Sequence, residues 1–269
     1  MDSSSDSGIF TKKMSDPVLS PQSRYHILLC ISILIFAVSL LFRLLKLVLD
    51  PSLMRDPTLY LQWVESWHET GNYHFERLGV RVRMPVLTLW IMKNFMVMGF
   101  GAEIIGRSLA LFFGAMIPVA GFFVAFNLTK KIRIALLTAI LLVFHPDLVL
   151  YSIQPLRENF YVFFEAILFL VMIEAIRRKS IVCWGFCGFF VSLLSFCRYE
   201  GLEFCLIVPF VIAAICCFKE IKWKKAVASI VAFSIVFGST SLFLLSLSNY
   251  DIGVISKLEQ IRKVNKNRS

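Results

Sequence analysis

Carboxylates and guanidinium groups stand near the ends of several apolar runs of this sequence. Asp56 lies in an Arg-Asp-Pro-Thr-Leu-Tyr motif, Arg157 and Glu158 begin one apolar run, and Arg198 and Glu200 follow the next. A carboxylate accepts the proton of an attacking hydroxyl group, and a guanidinium group binds phosphate oxygens in a bidentate manner. These residue types are therefore suited to acid–base chemistry on an anionic ligand.

Each of these residues also has an ordinary structural explanation. Asp56 is suited to cap a short helix that begins near it, and we expect Trp63 and Trp67 of that helix at the depth of the lipid headgroups. Arg43, Arg107 and the other arginines at helix ends could reach towards water or form isolated ion pairs. Several arginines on one side, beside carboxylates, nevertheless favour a pocket for an anionic headgroup.

Glu165 lies inside an apolar run, seven residues after Glu158 and therefore on the same face of a helix. An acid at the centre of a bilayer costs roughly 2.5–3.5 kcal/mol. Two interpretations stay open, a protonated side chain hydrogen-bonded between helices and a polar cavity that runs down from the outer surface. His145, just before a proline, is better suited to cap or hydrogen-bond a helix end than to bind a metal.

The composition identifies the class of protein that must position these residues. Of 269 residues, 58% are apolar and 17% are charged, whereas a soluble domain has about 45–50% apolar and about 25% charged residues. This excess excludes an ordinary soluble enzyme, a disordered chain and a nucleic-acid reader. The seven cysteines lie inside apolar runs without a CxxC pair, so we interpret them as small hydrophobic residues. We predict an all-α integral membrane protein.

Seven segments approach the roughly 20 residues that a helix needs to cross a bilayer. They are 27–47, 103–128, 132–151, 155–176, 181–197, 201–218 and 226–247.

Positive charges concentrate in alternate connections between these segments. The connections 129–131, 177–180 and 219–225 are rich in Lys and Arg, whereas 152–154 and 198–200 are not. The positive-inside rule then places the N-terminus in the cytoplasm.

This topology divides the chain into three parts. We predict that residues 1–24 form a disordered cytoplasmic tail, 25–248 a transmembrane domain, and 249–269 a basic outer tail. Residues 50–102 form a long first outer loop. Its apolar segment 84–100 carries Lys and Asn at its centre, so we expect a helix that lies in the outer interface or re-enters from it.

Several short motifs follow one another along residues 24–247. They are 55–60, 71–73, 83–85, Phe100 with Gly101, Arg107, Pro146 with Tyr151 and Ser152, Glu158, and 198–201. This order resembles the integral-membrane GT-C glycosyltransferases, and most closely their RgtA/B/C/D-like branch, which is related to aminoarabinose and protein O-mannosyl transferases.

The resemblance implies a GT-C-like fold and an enzyme of the cell envelope, located in a bacterial cytoplasmic (inner) membrane, that moves a sugar from a polyprenyl-phosphate carrier. The acceptor is a hydroxyl group of a glycan, lipid or protein, at the extracytoplasmic face. The implied roles are proton acceptor for Asp56, phosphate or donor binding for Arg198, Arg157 and Arg107, and sugar binding or orientation for Glu158, Tyr60 and Glu200. No cofactor is certain, and a divalent metal ion stays open, with His68 and His74 as candidate ligands beside Asp56.

Two features depart from the family pattern. Pro57 replaces the second acid of the loop motif, which weakens a two-carboxylate metal site, and family enzymes usually continue with further helices. A fragment, a short paralogue and a non-catalytic remnant of the fold are the resulting alternatives. A further hypothesis is a carrier for a lipid-linked or anionic solute, with Glu165 as its midplane site.

Overall fold

The computed structural model describes residues 21–71, 75–77, 80–82, 86–218 and 220–247. Nearly all of this part is helical, because a backbone surrounded by lipid must satisfy its hydrogen bonds within each segment. Helices α1 to α10 are, in order, Pro21–Leu49, Arg55–Thr70, Val86–Met96, Ala102–Thr129, Ile132–Val143, Pro146–Ser152, Glu158–Arg178, Ile181–Cys197, Phe204–Cys217 and Trp223–Leu247.

The chain divides by compactness into residues 1–34 and residues 35–269. The described part of the first unit is the beginning of α1, which starts at Pro21, inside the segment that we expected to be a tail. The two predicted tails otherwise fall on residues 1–20 and 249–269, outside the described residues. All sites discussed below lie in the second unit.

Within the described residues, five helices are long and apolar enough to cross a membrane. They are α1, α4, α7, α9 together with the 3₁₀ turn before it, and α10. The bent pair of α5 and α6 would make a sixth span. The expectation of a largely helical chain with helices able to cross a membrane is thus confirmed. The one expected span that is missing from this set is residues 181–197. It corresponds to α8, whose 17 residues lie at the lower limit of the length that a bilayer requires.

The break between α5 and α6 lies where the sequence predicted an interruption. The two helices bend by 57°, and Pro146 is the first residue of α6, where a missing N–H is tolerated. The side chain of His145 makes no capping hydrogen bond to α6. The proline therefore accounts for this break without help from the histidine.

Helices α2 and α3 pack together beside the beginning of α4. Trp63 and Trp67 on α2 are only 1% and 2% exposed, in a cluster with Leu89 and Met92 of α3 and Ile105 of α4. Protein therefore covers both tryptophans in this cluster, and their depth relative to the lipid headgroups stays a prediction.

Helix α3 itself is short. Its 11 residues extend about 16 Å, against the roughly 30 Å of a bilayer core. This length agrees with the expectation that the segment 84–100 does not cross.

A short antiparallel hairpin between α2 and α3 departs from the all-α expectation. Strand β1 is Phe75–Arg77 and strand β2 is Val80–Val82, with Glu76 paired to Arg81. The three-residue strands are too short to give a period-2 signal that the sequence could reveal.

Helices α7 to α10 form a second packed cluster. Its buried residues include Leu168, Trp184, Val208 and Phe233, one from each of the four helices. Gly188 lets α8 and α10 approach closely, since a Cβ at this position would collide with the backbone of Phe233. Close approach through small residues is a common way for membrane helices to associate.

Candidate functional site

Three segments that are distant in sequence meet at one end of the helical bundle. They enclose a cavity of about 560 Å³, within the range of small-molecule sites. We call it the charged cavity, and its lining residues are Met54, Arg55, Asp56, Pro57, Tyr151, Leu156, Glu158 and Arg198. The structure thus brings the predicted residues Asp56, Glu158 and Arg198 together.

Asp56 stands at the beginning of α2 and faces this cavity. The N-cap residue is Met54, which makes no side-chain cap, and Asp56 lies in the first turn. The alternative that Asp56 is the helix cap is therefore wrong. Its exposed carboxylate still gains from the partial positive charge at the N-terminus of the helix, and it remains available to a ligand.

A network of charges includes two lining residues of the cavity, Glu158 and Arg198. Arg198 lies 3.8 Å from a Glu158 oxygen and 2.7 Å from a Glu200 oxygen, and Arg157 lies 3.7 Å from Glu158. The hydrogen bonds that Arg198 donates to the Glu200 carboxylate raise the pKa of Arg198 above its usual value, so the guanidinium group stays charged. Glu158 therefore lies between two cations, and Glu200 orients one of them.

Part of this network has unused hydrogen-bonding capacity. The Glu158 Oε2 atom and the Arg157 Nε atom are buried, and neither has a hydrogen-bond partner within the described residues. Buried polar atoms are nearly always paired in folded proteins, and exceptions call for an explanation. A polar ligand in the charged cavity would provide one.

Tyr60 supports the cavity from α2, one turn after Asp56. It is 7% exposed, and its ring lies 6.0 Å from the Arg157 guanidinium carbon. Burial raises the pKa of Tyr60 to about 12, so its hydroxyl group keeps its proton at neutral pH. Tyr60 contributes a hydrogen-bond donor and a surface for Arg157 instead of a second base.

Gln154 holds the segment that leads to Asp56, and the sequence did not reveal this role. Its Nε2 donates to the Ser52 carbonyl at 2.8 Å, and its Oε1 accepts from the Met54 N–H at 3.2 Å. The side chain is almost fully buried, at 1% exposure. The available signal was a single amide in the connection 152–154, which does not show which backbone groups it will bind.

Arg107 lies next to Gln154 and outside the lining of the charged cavity. Its guanidinium group donates to the Glu103 carboxylate at 2.8 Å, the Pro51 carbonyl at 2.7 Å and the Ile153 carbonyl at 3.2 Å. All three nitrogens are thus engaged. These contacts join the loop before α2 to the turn after α6, so they favour a positioning role over the expected contact with phosphate.

Arg43 forms a buried polar connection behind the cavity. It is 0% exposed, and its Nε donates to the Ser152 hydroxyl at 3.0 Å while Nη1 donates to Ser39 Oγ at 2.6 Å. Asn159 donates from Nδ2 to the Tyr151 carbonyl at 2.7 Å. The expectation of a side chain that reaches towards water is wrong for Arg43, because it ties α1 to the end of α6.

The described residues contain no group of three or more His, Cys, Asp or Glu side chains that could hold a metal ion. His68 follows Asp56 by twelve residues on the same helix, about 18 Å along its axis, too far to share one ion. His74 lies outside the described residues.

A second cavity, of about 400 Å³, lies between α4, α5 and α7. We call it the apolar groove, and it shares no lining residue with the charged cavity. Its lining residues are Ile117, Gly121, Val124, Ala125, Leu128, Thr138, Leu142, Val162, Glu165, Ala166 and Phe169.

Glu165 is the ionisable residue of the apolar groove. Within the described part of the chain its carboxyl group has no hydrogen bond or ion pair, so the expected bond between helices is not found there. The alternative of a polar cavity that runs down from the outer surface does not hold either, since the lining residues other than Glu165 and Thr138 are apolar and none is shared with the charged cavity.

Comparison with known proteins adds nothing to this geometry. No family model matches the sequence, and no curated protein matches it either. Function is therefore inferred below from the described residues.

Proposed function

We propose that the chain is a membrane glycosyltransferase of the GT-C type, which transfers a sugar from a polyprenyl-phosphate donor to an acceptor hydroxyl group at the charged cavity. The observation that carries this proposal is the convergence of Asp56, Glu158 and Arg198 on one cavity at the end of a bundle of apolar helices. At this place the anionic head of a lipid-linked donor would lie in the charged cavity, and its lipid tail would lie against the apolar helices.

The proposed reaction needs one proton acceptor. The acceptor oxygen attacks the anomeric carbon, a new carbon–oxygen bond forms, and the bond from the anomeric carbon to the phosphate oxygen breaks. The leaving phosphate takes the electron pair, while the hydroxyl proton passes to the Asp56 carboxylate. Asp56 is suited to this step because it lines the cavity without serving as the cap of α2.

The leaving phosphate needs cations that are already in position. Arg198 is held by Glu200 and Glu158, and Arg157 stands over the Tyr60 ring. Preorganised cations stabilise the developing charge without further rearrangement. Glu158 would orient both arginines or bind a sugar hydroxyl group through its unpaired oxygen, and Arg107 would hold the loop that carries Asp56.

The proposal includes a topology. The basic connections favour a cytoplasmic N-terminus and an extracytoplasmic cavity, and we count α8 as a seventh span that extends about 25 Å. A bacterial inner membrane supplies polyprenyl-phosphate donors, and acceptors would be a glycan, a lipid or a protein.

The test is transfer by the purified full chain in liposomes. A panel of radiolabelled polyprenyl-phosphate sugars is offered with a mixture of envelope glycans and lipids, and release of free polyprenyl phosphate is measured. We expect at least one donor to be consumed by the wild type. If no donor in the panel is consumed or bound, the proposal fails.

A further inference from the structure

The apolar groove places one carboxyl group far from both ends of α7. Glu165 is the eighth of the 21 residues of this helix, so it lies about 10 Å along the axis from Glu158 and about 20 Å from Arg178. The groove walls come from the later halves of α4 and α5 and the middle of α7. The carboxyl group is therefore at a depth where lipid offers hydrocarbon alone.

Nothing in the groove satisfies this carboxyl group. The other polar lining residue, Thr138, donates its hydroxyl proton to the Ile134 carbonyl of its own helix at 3.0 Å. Glu165 has no hydrogen bond or ion pair with any described residue, and its side chain is only partly buried. An acid within a membrane segment usually pairs with another polar group, so the missing partner has to come from outside this part of the chain.

The depth of Glu165 restricts the class of that partner. A lipid keeps its polar atoms in the headgroup region and offers hydrocarbon at this depth, which would fill the groove without pairing the acid. A transmembrane helix can carry a hydrogen-bond donor at any depth, and such polar side chains join helices within membranes. Charge complementarity to a carboxyl group favours a helix with a basic side chain.

The walls of the groove also permit a close approach. Gly121 and Ala125 lie four residues apart on α4, and Ala166 lines the groove from α7. Small residues on membrane helices let a neighbouring backbone come near. These small residues therefore also favour a transmembrane helix as the occupant of the groove.

We propose that the apolar groove binds a transmembrane helix of another protein, which carries a lysine or arginine at mid-membrane depth that pairs with Glu165. This site is separate from the charged cavity, and the inference does not depend on the proposed transferase activity. It assigns the groove to protein recognition.

Matched model helices test this inference. The full chain, with a fluorescent donor on its N-terminal tail, is placed in phosphatidylcholine vesicles with one of two acceptor-labelled Leu/Ala peptides of about 24 residues. The peptides differ only at the central position, which is Lys in one and Leu in the other. Energy transfer reports association. We expect the Lys peptide to bind the wild type about 3- to 15-fold more tightly than the Leu peptide.

Variants connect the preference to the groove. Glu165→Leu is expected to abolish the difference between the peptides, and Glu165→Gln to reduce it. Neither change adds charge to the membrane, so both variants should insert. Glu174→Gln is the matched control, since Glu174 lies on the same helix but pairs with Arg177 and Arg178 outside the groove, and this variant should keep the full preference.

Three results would overturn the inference. The first is equal binding of the two peptides to the wild type, which would indicate a groove filled by hydrocarbon alone. The second is a preference for the Lys peptide that survives Glu165→Leu. The third is a loss of preference in Glu174→Gln as large as in Glu165→Leu, which would indicate a general charge effect.

Discussion

Two glutamates on one face of α7 stand in opposite environments. Glu158 lies between Arg157 and Arg198, within 4 Å of each, at the wall of the charged cavity. Glu165, about 10 Å along the helix, faces the apolar groove without a partner among the described residues. A glutamate side chain can therefore belong either to a charged site at the end of the bundle or to a recognition site between its helices.

The difference follows from the surroundings of each carboxyl group. Fixed countercharges make an ionised group inexpensive and allow it to act on charged ligands. A group in apolar surroundings has no such support and gains most from one specific partner. We therefore expect chemistry at the charged cavity and partner recognition at the apolar groove, and the predictions below test this division.

The largest expected effect is that of Asp56→Asn. The amide cannot accept the hydroxyl proton, so we expect transfer to fall by about 10²- to 10⁴-fold, with normal expression. The assay is sugar transfer in proteoliposomes. Glu65→Gln is the control, since Glu65 is an exposed acid on the same helix, and it should retain activity. Full activity in Asp56→Asn would exclude Asp56 as the base.

Arg198→Gln is expected to have the next largest effect. Loss of one preorganised cation should lower transfer by about 10²- to 10³-fold and weaken the binding of polyprenyl monophosphate, measured by native mass spectrometry. Arg177→Gln is the control. It has the same net charge as Arg198→Gln, but the cation that it removes is paired with Glu174, away from the cavity. If both variants bind the phosphate lipid equally, Arg198 has no specific role at the cavity.

Gln154→Ala tests how the cavity is positioned. The variant loses the bonds to Ser52 and Met54, so the segment before Asp56 should move, and transfer should fall by about 10- to 100-fold. Hydrogen exchange at the Met54 N–H should become faster while the helices keep their protection. Gln62→Ala, an exposed glutamine on α2, should change neither quantity. Unchanged exchange in Gln154→Ala would show that other contacts hold this segment.

Glu165→Gln should have the smallest effect on transfer. The apolar groove shares no lining residue with the charged cavity, so we expect transfer to stay within about twofold of the wild type, because distant sites act independently. The same variant, tested for flux of a fluorescent anionic lipid, examines the carrier hypothesis. Normal transfer with abolished flux would favour the carrier, and a large loss of transfer would contradict the separation of the two sites.

The sequence was sufficient to predict the convergence of Asp56, Glu158 and Arg198. The lengths of the apolar segments determine which charges stand at the same end of a helical bundle, and these three stand at the ends of different segments. The interruption at Pro146 was predictable for a similar reason, since a proline removes a donor from a continuous helix. Both predictions depend only on where each residue stands within its own segment.

Tertiary contacts set the limit of such predictions. Gln154 binds backbone groups about a hundred residues away, and Arg107 binds the carbonyls of Pro51 and Ile153. The identity of those partners has no signature in the sequence, because every residue carries a carbonyl group. Trp63 illustrates the same limit, because an apolar helix face does not reveal whether lipid or α3 will cover it.

The most direct measurement compares the two cavities with one probe. A polyprenyl monophosphate with a photoreactive group on its first isoprene unit is crosslinked to the full chain in liposomes, and the labelled residues are identified by mass spectrometry. We predict labelling within residues 54–57, 151–158 and 198, which unlabelled polyprenyl phosphate competes away and Arg198→Gln diminishes. Labelling confined to the walls of the apolar groove, or unaffected by competitor, would contradict the assignment of the charged cavity as the donor site.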